Sequence, residues 1–337
     1  MAGNRPVLEE LSRKEESLRA ACREKGLTPG VVGMFRRLLM GFYGAHGRDL
    51  PWRRTRDPYR ILVSEFMLQQ TRVERVLSKY PEFLARFPDV ATLARAPRRD
   101  VLLAWQGLGY NRRAIALHET AGRVVVECGG EIPLDRATLD SFPGIGSATA
   151  GAVVVFSANR PLVFIETNIR RVYIHFFFPG AARVHDREIE PILERTMLKS
   201  EPRDFYYALM DYGSALTKGS RGPNGSLLRG GHGNPNIRSA AYSRQSSFEG
   251  SDRQVRGTIL RRLLPVGELT GENLKSLAPV GADRLERILR GLERDGFIKR
   301  AGGKIRCRET PEASGGKGSF EEVRNPPAMR TRRRGGR

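Results

Sequence analysis

The chain has 337 residues, a formal net charge of +21 from 58 Lys and Arg against 37 Asp and Glu, and three cysteines. That length holds one large domain and one small one, and the charge calls for a polyanionic partner, nucleic acid first. No apolar run approaches the roughly 20 residues that span a membrane and the N-terminus has no apolar signal core, so no membrane role and an intracellular, cytoplasmic, nucleoid-associated location are expected.

Residues 1–28 predict a charged helix closed by Gly26 and Pro29-Gly30. From 29 to 217 the apolar spacing is helical almost throughout, without strand alternation, and predicts an all-α domain of packed amphipathic helices. Asp57-Pro58 marks a helix start, an N-cap followed by proline at the first helical position, and that helix runs through Gln70. Further helices are predicted over 73–87, 89–96, 99–106, 111–128, 136–141, 148–157, 167–177, 186–198 and 202–213.

Residues 218–252 are rich in Gly, Ser, Asn and Pro and predict a polar linker. Over 253–308 the periodicity returns. One helix carries Val255, Ile259, Leu260 and Leu263, Thr270 caps a second, and a third starts at Ala282. Two short strands around Gly302-Gly303 follow. This order predicts a winged helix whose third helix offers Arg284, Arg287 and Arg290 to a DNA groove, or else a docking domain with a solvated basic face. Residues 309–337 end in Arg330-Thr331-Arg332-Arg333-Arg334 and predict a disordered basic tail. Cys22, Cys128 and Cys307 are far apart, lack metal-ligand spacing and cannot supply the four thiolates of an iron-sulfur cluster, so they are read as unpaired thiols.

Three segments carry chemistry. Glu65 lies on the stripe of Ile61 and Leu68, where a carboxylate is unexpected. Burial there raises a carboxyl pKa and makes a proton donor at neutral pH, unless the group is simply a buried ion-pair partner. Pro143-Gly144-Ile145-Gly146 opens a helix near Ser147, an arrangement that bares backbone amides to a phosphate. Glu166 follows the apolar run 162–165 and precedes Thr167-Asn168, either of which can cap the next helix. Glu166 either stabilises a cationic sugar carbon or merely favours the helix dipole.

Leu50-Pro51-Trp52-Arg53, Ser64-Glu65-Phe66-Met67-Leu68-Gln69-Gln70-Thr71, Gly107-Leu108-Gly109-Tyr110 and Pro143-Gly144-Ile145-Gly146 with Thr149-Ala150 occur in order. With these motifs, residues 31–216 resemble the helix-hairpin-helix base-excision glycosylases, and within them the MutY-like adenine DNA glycosylases. The resemblance implies a fold of two helical lobes, double-stranded DNA with a mispaired or damaged base as partner, and a monomer. It implies that Glu65 protonates the adenine ring and that Glu166, where the family has aspartate, stabilises the oxocarbenium ion. Gln70 and Tyr110 would wedge into the base stack, with Gln69, Gly144, Gly146, Thr149 and Asn168 also along the DNA. Arg48, Trp52, Arg53, Leu68 and Asp211 match positions around the base pocket, though Trp52 and Leu68 also suit the core. A monovalent cation at the hairpin loop is implied as well.

Ala148 stands where bifunctional relatives carry a catalytic lysine, so hydrolysis without strand cleavage is expected. The family's four-cysteine cluster and its usual C-terminal domain are not recognisable in this sequence. The resemblance implies adenine opposite 8-oxoguanine or guanine as the substrate, while the missing C-terminal domain bears on which opposite base is preferred. A thymine or uracil glycosylase acting on G mismatches and a noncatalytic DNA-binding protein are the alternatives.

Overall fold

Short polar caps and prolines set most helix starts. The computed structural model describes residues 5–217, 234–244, 247–277 and 280–308. The basic tail from 309 onward and the first half of the 218–252 stretch lie outside them.

The charged N-terminal helix is α1 (Arg5–Lys25). Thr28 caps α2 (Pro29–His46) and Asp57 caps α3 (Pro58–Leu68), each with proline in the first turn. Then come α4 (Val73–Arg86), α5 (Val90–Arg95), α6 (Arg98–Ala104), α7 (Arg112–Glu127) and α8 (Arg136–Asp140). The series closes with α9 (Ser147–Ala158), α10 (Thr167–Phe177), α11 (Asp186–Thr196) and α12 (Pro202–Ala215). Each predicted helix is present, with ends moved by a few residues.

Two helical lobes result. In one, α1, α2, α10, α11 and α12 pack on one another; in the other, α3 to α9 do, and α9 meets α12 across the junction. Phe35 anchors the first core with its ring among Tyr173, Phe176, Phe177 and Phe205. Phe83 and Trp105, both fully buried, meet edge-on in the second. Burying each such ring stabilises the fold by about 2–3 kcal/mol.

The expectation of a polar linker fails for residues 234–242. Pro235 and Asn236 are buried in a one-turn 3-10 helix against α10. The Arg238 guanidinium donates to the carbonyls of Ile174, Phe178 and Ala181 at 3.2, 2.6 and 3.3 Å, closing the C-terminus of α10. Ser239 bridges Val184. This segment is a structural part of the first lobe.

Beyond it lie α13 (Asp252–Val266), β1 (Glu268–Thr270), α14 (Gly271–Leu277), α15 (Ala282–Arg294), β2 (Ile298–Ala301) and β3 (Lys304–Cys307). The three strands form an antiparallel sheet in the order β1-β3-β2, with Leu269 opposite Ile305. Strand β1 is an addition to the two-strand hairpin expected from sequence. Among the α15 arginines, Arg287 and Arg290 are 69% and 71% exposed and Arg284 is partly covered, and each has an acidic neighbour. Arg284 pairs with Asp252 at 2.8 Å, Arg287 approaches the same carboxylate at 3.7 Å, and Arg290 pairs with Glu286 at 2.9 Å.

Candidate active site

Helix α3 buries Ile61, Leu62, Val63, Phe66 and Met67 and sets Glu65 among them, mostly buried. No hydrogen bond reaches the Glu65 side chain from the described residues to offset the loss of water. Burial first, and then the charge of Glu166, push its carboxyl up to about 8, against the opposing pull of Arg53. At neutral pH Glu65 is a carboxylic acid.

Glu166 faces the same site and is also buried, but it accepts hydrogen bonds where Glu65 has none among the described residues. It caps α10 itself, in place of the expected Thr167 or Asn168. Its Oε1 accepts from the amides of Asn168 and Ile169 at 2.8 and 3.1 Å, and its Oε2 accepts from Asn168 Nδ2 at 3.2 Å. Burial raises its pKa, while those donors and the charge of Arg171 oppose the rise. The helix N-terminus favours the anion further. Gly213 on α12 permits the close approach of this turn, since a Cβ there would lie 2.3 Å from the Asn168 carbonyl oxygen.

Asp211, buried on α12, organises the neighbouring wall. Its carboxylate accepts from the Arg48 amide at 2.9 Å, Arg48 Nε at 2.6 Å, and Arg53 Nη1 and Nη2 at 2.8 Å each. Burial works against its charge, but Arg53 and then Arg48 hold it below the usual carboxylate range. The Arg53 guanidinium lies 4.4 Å from the centre of the Tyr207 ring. Trp52 is core, edge-on to Tyr80 at 5.5 Å, and Leu68 is half-buried at the end of α3, packed on the core.

Two turns flank this recess. Gln70 has φ 53° and Tyr110 φ 48°, a left-handed conformation that side chains other than Gly, Asn and Asp rarely adopt. One buried arginine fixes both turns. Arg113 Nη1 donates to the carbonyls of Phe66 and Met67 at 2.8 and 2.9 Å and to that of Gln69. Its Nη2 donates to Thr71 Oγ1 at 2.8 Å and to the carbonyls of Leu108 and Gly109 at 3.2 and 3.0 Å. Burial brings its pKa down to about 10, so the group stays charged at neutral pH.

The hairpin lies beside the end of α3. Gly144 has φ 74°, and a Cβ there would lie 2.7 Å from Ala116 Cβ and 2.9 Å from Phe66 Cε1. Gly146 caps α9 with no side-chain bond and opens onto empty space. The start of α9 is thus uncapped and open on the Gly146 side, as a bound phosphate would need. Gln69 is turned inward: its amide donates to the Gly144 carbonyl and to Thr149 Oγ1, both at 3.3 Å, which ties α3 to the hairpin. Sequence reasoning missed Arg113, Tyr207 and the clasp of Arg136 on Ser147. Arg113 was findable, because it shares its helix face with Leu117, Ala121 and Val124, all buried.

The carbonyls of Phe142, Pro143 and Gly144 accept one bond each, from the Ile145 amide, Thr120 Oγ1 and Gln69 Nε2. Each keeps a second lone pair. The cysteines lie in α1, at the end of α7 and in β3, a set that does not fit a four-thiolate cluster.

Residues 63–196 match the family model described as the HhH-GPD superfamily base excision DNA repair protein, which defines the class of this fold and site. The chain is 36% identical over 231 residues to the adenine DNA glycosylase of Mycobacterium tuberculosis, covering 66% of this chain and 76% of that protein. It is 33% identical over 197 residues to the human adenine DNA glycosylase, covering 55% of this chain and 36% of that one. A solved thermostable thymine-DNA glycosylase superposes with a TM-score of 0.52 at 27% identity, over 54% of this chain and 86% of its own. A trapped endonuclease III–DNA covalent intermediate superposes at 0.51 and 19% identity, over 58% and 91%. The chain belongs to the adenine DNA glycosylases.

Proposed function

We propose that the chain is a monofunctional DNA glycosylase that removes adenine paired with 8-oxoguanine or guanine in duplex DNA. The observation that carries this is the pairing of Glu65, an acid with a pKa of about 8, with Glu166, a carboxylate held by helix amides. Two carboxyl groups in opposed environments are the equipment for glycosidic cleavage.

Gln70 and Tyr110 enter the stack and the target nucleotide swings into the recess. Glu65 gives its proton to a ring nitrogen of adenine, so the base leaves neutral. Glu166 stabilises the positive charge that develops on the sugar, and water adds to the sugar carbon, giving its proton to the now ionised Glu65, to leave an abasic site. The exposed amides of α9 and the Gly144–Gly146 turn grip the backbone. A monovalent cation on the turn carbonyls, when bound, supplies further positive charge toward a phosphate. Ala148, on the first turn of α9, has no amine with which to form a Schiff base, so the strand stays intact. The α13–α15 unit with its three strands is read as a winged helix that adds a second contact to DNA.

Likeness to a thymine-DNA glycosylase keeps pyrimidine–G mismatches as an arm of the test. The acid form of Glu65 favours a purine, whose departure is eased by ring protonation. Single-turnover base release from duplexes carrying A opposite 8-oxoguanine, A opposite G, T opposite G and U opposite G, with and without hot alkali, decides. Alkali-dependent breaks at adenine support the proposal; release confined to T or U overturns it.

A further inference from the structure

The Tyr110 turn is gripped from outside the glycosylase lobes. Arg253, on the first turn of α13, donates from Nη1 to the Tyr110 hydroxyl at 2.9 Å and from Nη2 to the Ser247 carbonyl at 3.4 Å. Tyr110 is 38% exposed, the Arg113 guanidinium lies 5.5 Å from the centre of its ring, and its hydroxyl accepts from Arg253. The surrounding contact is extensive. Asp295, at the end of α15, takes Arg112 of α7 on one oxygen and Arg256 of α13 on the other. Arg99 donates to the carbonyls of Leu264 and Pro265 at 2.7 and 2.8 Å, and Arg98 to that of Gly296 at 3.3 Å. The C-terminal unit is therefore docked on α6 and the start of α7, immediately beside the turn that carries Tyr110.

We infer that Arg253 is a positioning residue for Tyr110, through which the C-terminal unit sets the wedge for lesion recognition. The inference rests on the proposed function, since it takes Tyr110 as a residue that enters the stack. Tyr110 already holds a sparsely populated backbone conformation at φ 48°. Arg113 fixes the backbone on either side and lies 5.5 Å from the centre of the ring. The bond from Arg253 adds a restraint at the hydroxyl end of the ring before DNA arrives, which lowers the ordering cost of binding. A charged donor to a phenol is the stronger kind of hydrogen bond.

Three measurements on the full chain test this: single-turnover adenine release, affinity for a duplex whose target adenosine has a non-cleavable 2′-fluoro sugar, and affinity for undamaged duplex. The variants are R253A, R253K, Y110F and R253A/Y110F. Y110F alters no charge and keeps the ring. It is expected to lower the preference for the lesion duplex over undamaged DNA by about 5-fold. R253A lowers that preference equally, the double variant no further, and R253K recovers part of it, with melting temperatures unchanged. An indifferent Y110F, or losses that multiply in the double variant, overturns the inference while wild-type turnover stands. A wild type that releases no adenine overturns the proposed function and this inference with it.

Discussion

Glu65 and Glu166 meet at one site with opposite provision for charge. Glu65 takes no hydrogen bond from the described residues and rises to about 8, whereas three donors converge on Glu166. The anion at Glu166 itself helps keep Glu65 protonated. The acid and the electrostatic stabiliser are thus assigned by their surroundings, since the two side chains are chemically the same.

Replacing Glu65 by Gln keeps the shape and removes the proton. Adenine release should fall by about 10³-fold or more, while affinity for the lesion duplex stays within a few-fold. The fold should gain stability at the same time. Folded Glu65 holds its proton up to about 8 against an ordinary value of 4.5. The folded chain therefore binds more protons across that window, and stability drops as pH rises through it. E65Q removes this loss and should gain about 1 kcal/mol at pH 8 by thermal or denaturant unfolding.

At Glu166, cap and charge can be separated. E166N keeps a short acceptor for the α10 amides but no charge, and should cost turnover about 10²-fold with little change in melting temperature. E166D keeps both and should stay within about tenfold of wild type. E166A loses both and should also cost about 1 kcal/mol of stability.

The site was legible in the sequence where a residue breaks a pattern. Glu65 stood out as a carboxylate on an apolar face, and the Gly-Ile-Gly turn as an unprotected helix start. Glu166 as an N-cap was not legible, because glutamate is not among the preferred caps and its longer chain must fold back to reach the amides. The positive φ of Gln70 and Tyr110 had no local signal, since neither is glycine; only the resemblance pointed to them. Residues 234–242 read as linker because their burial comes from contacts with α10 and none from their own periodicity. Strand β1 is three residues long and shows no alternation to detect.

The two hairpin glycines should fail differently. Gly144→Ala meets Phe66 and Ala116 at under 3 Å and strains a positive φ. It should destabilise the fold by about 1–3 kcal/mol. Gly146→Ala meets nothing within 4 Å, so its Cβ occupies space that a phosphate would approach. It should leave the melting temperature alone and weaken binding to any duplex, measured by fluorescence anisotropy.

Arg113 is predicted to be the costliest single side chain near the site. R113A leaves the buried carbonyls of Phe66, Met67, Gln69, Leu108 and Gly109 short of their donor. A loss of about 3–5 kcal/mol is expected in urea unfolding, and R113K should rescue little, since an ammonium cannot span both turns.

The pH dependence of single-turnover adenine release, from about pH 5 to 10, addresses the acid directly. The rate should rise with pH as Glu166 ionises, above the ordinary carboxylate range, and fall again near 8 as Glu65 loses its proton. The two limbs belong to the coupled pair. A rate that stays flat or climbs through pH 8 to about 9 would contradict Glu65 as the proton donor.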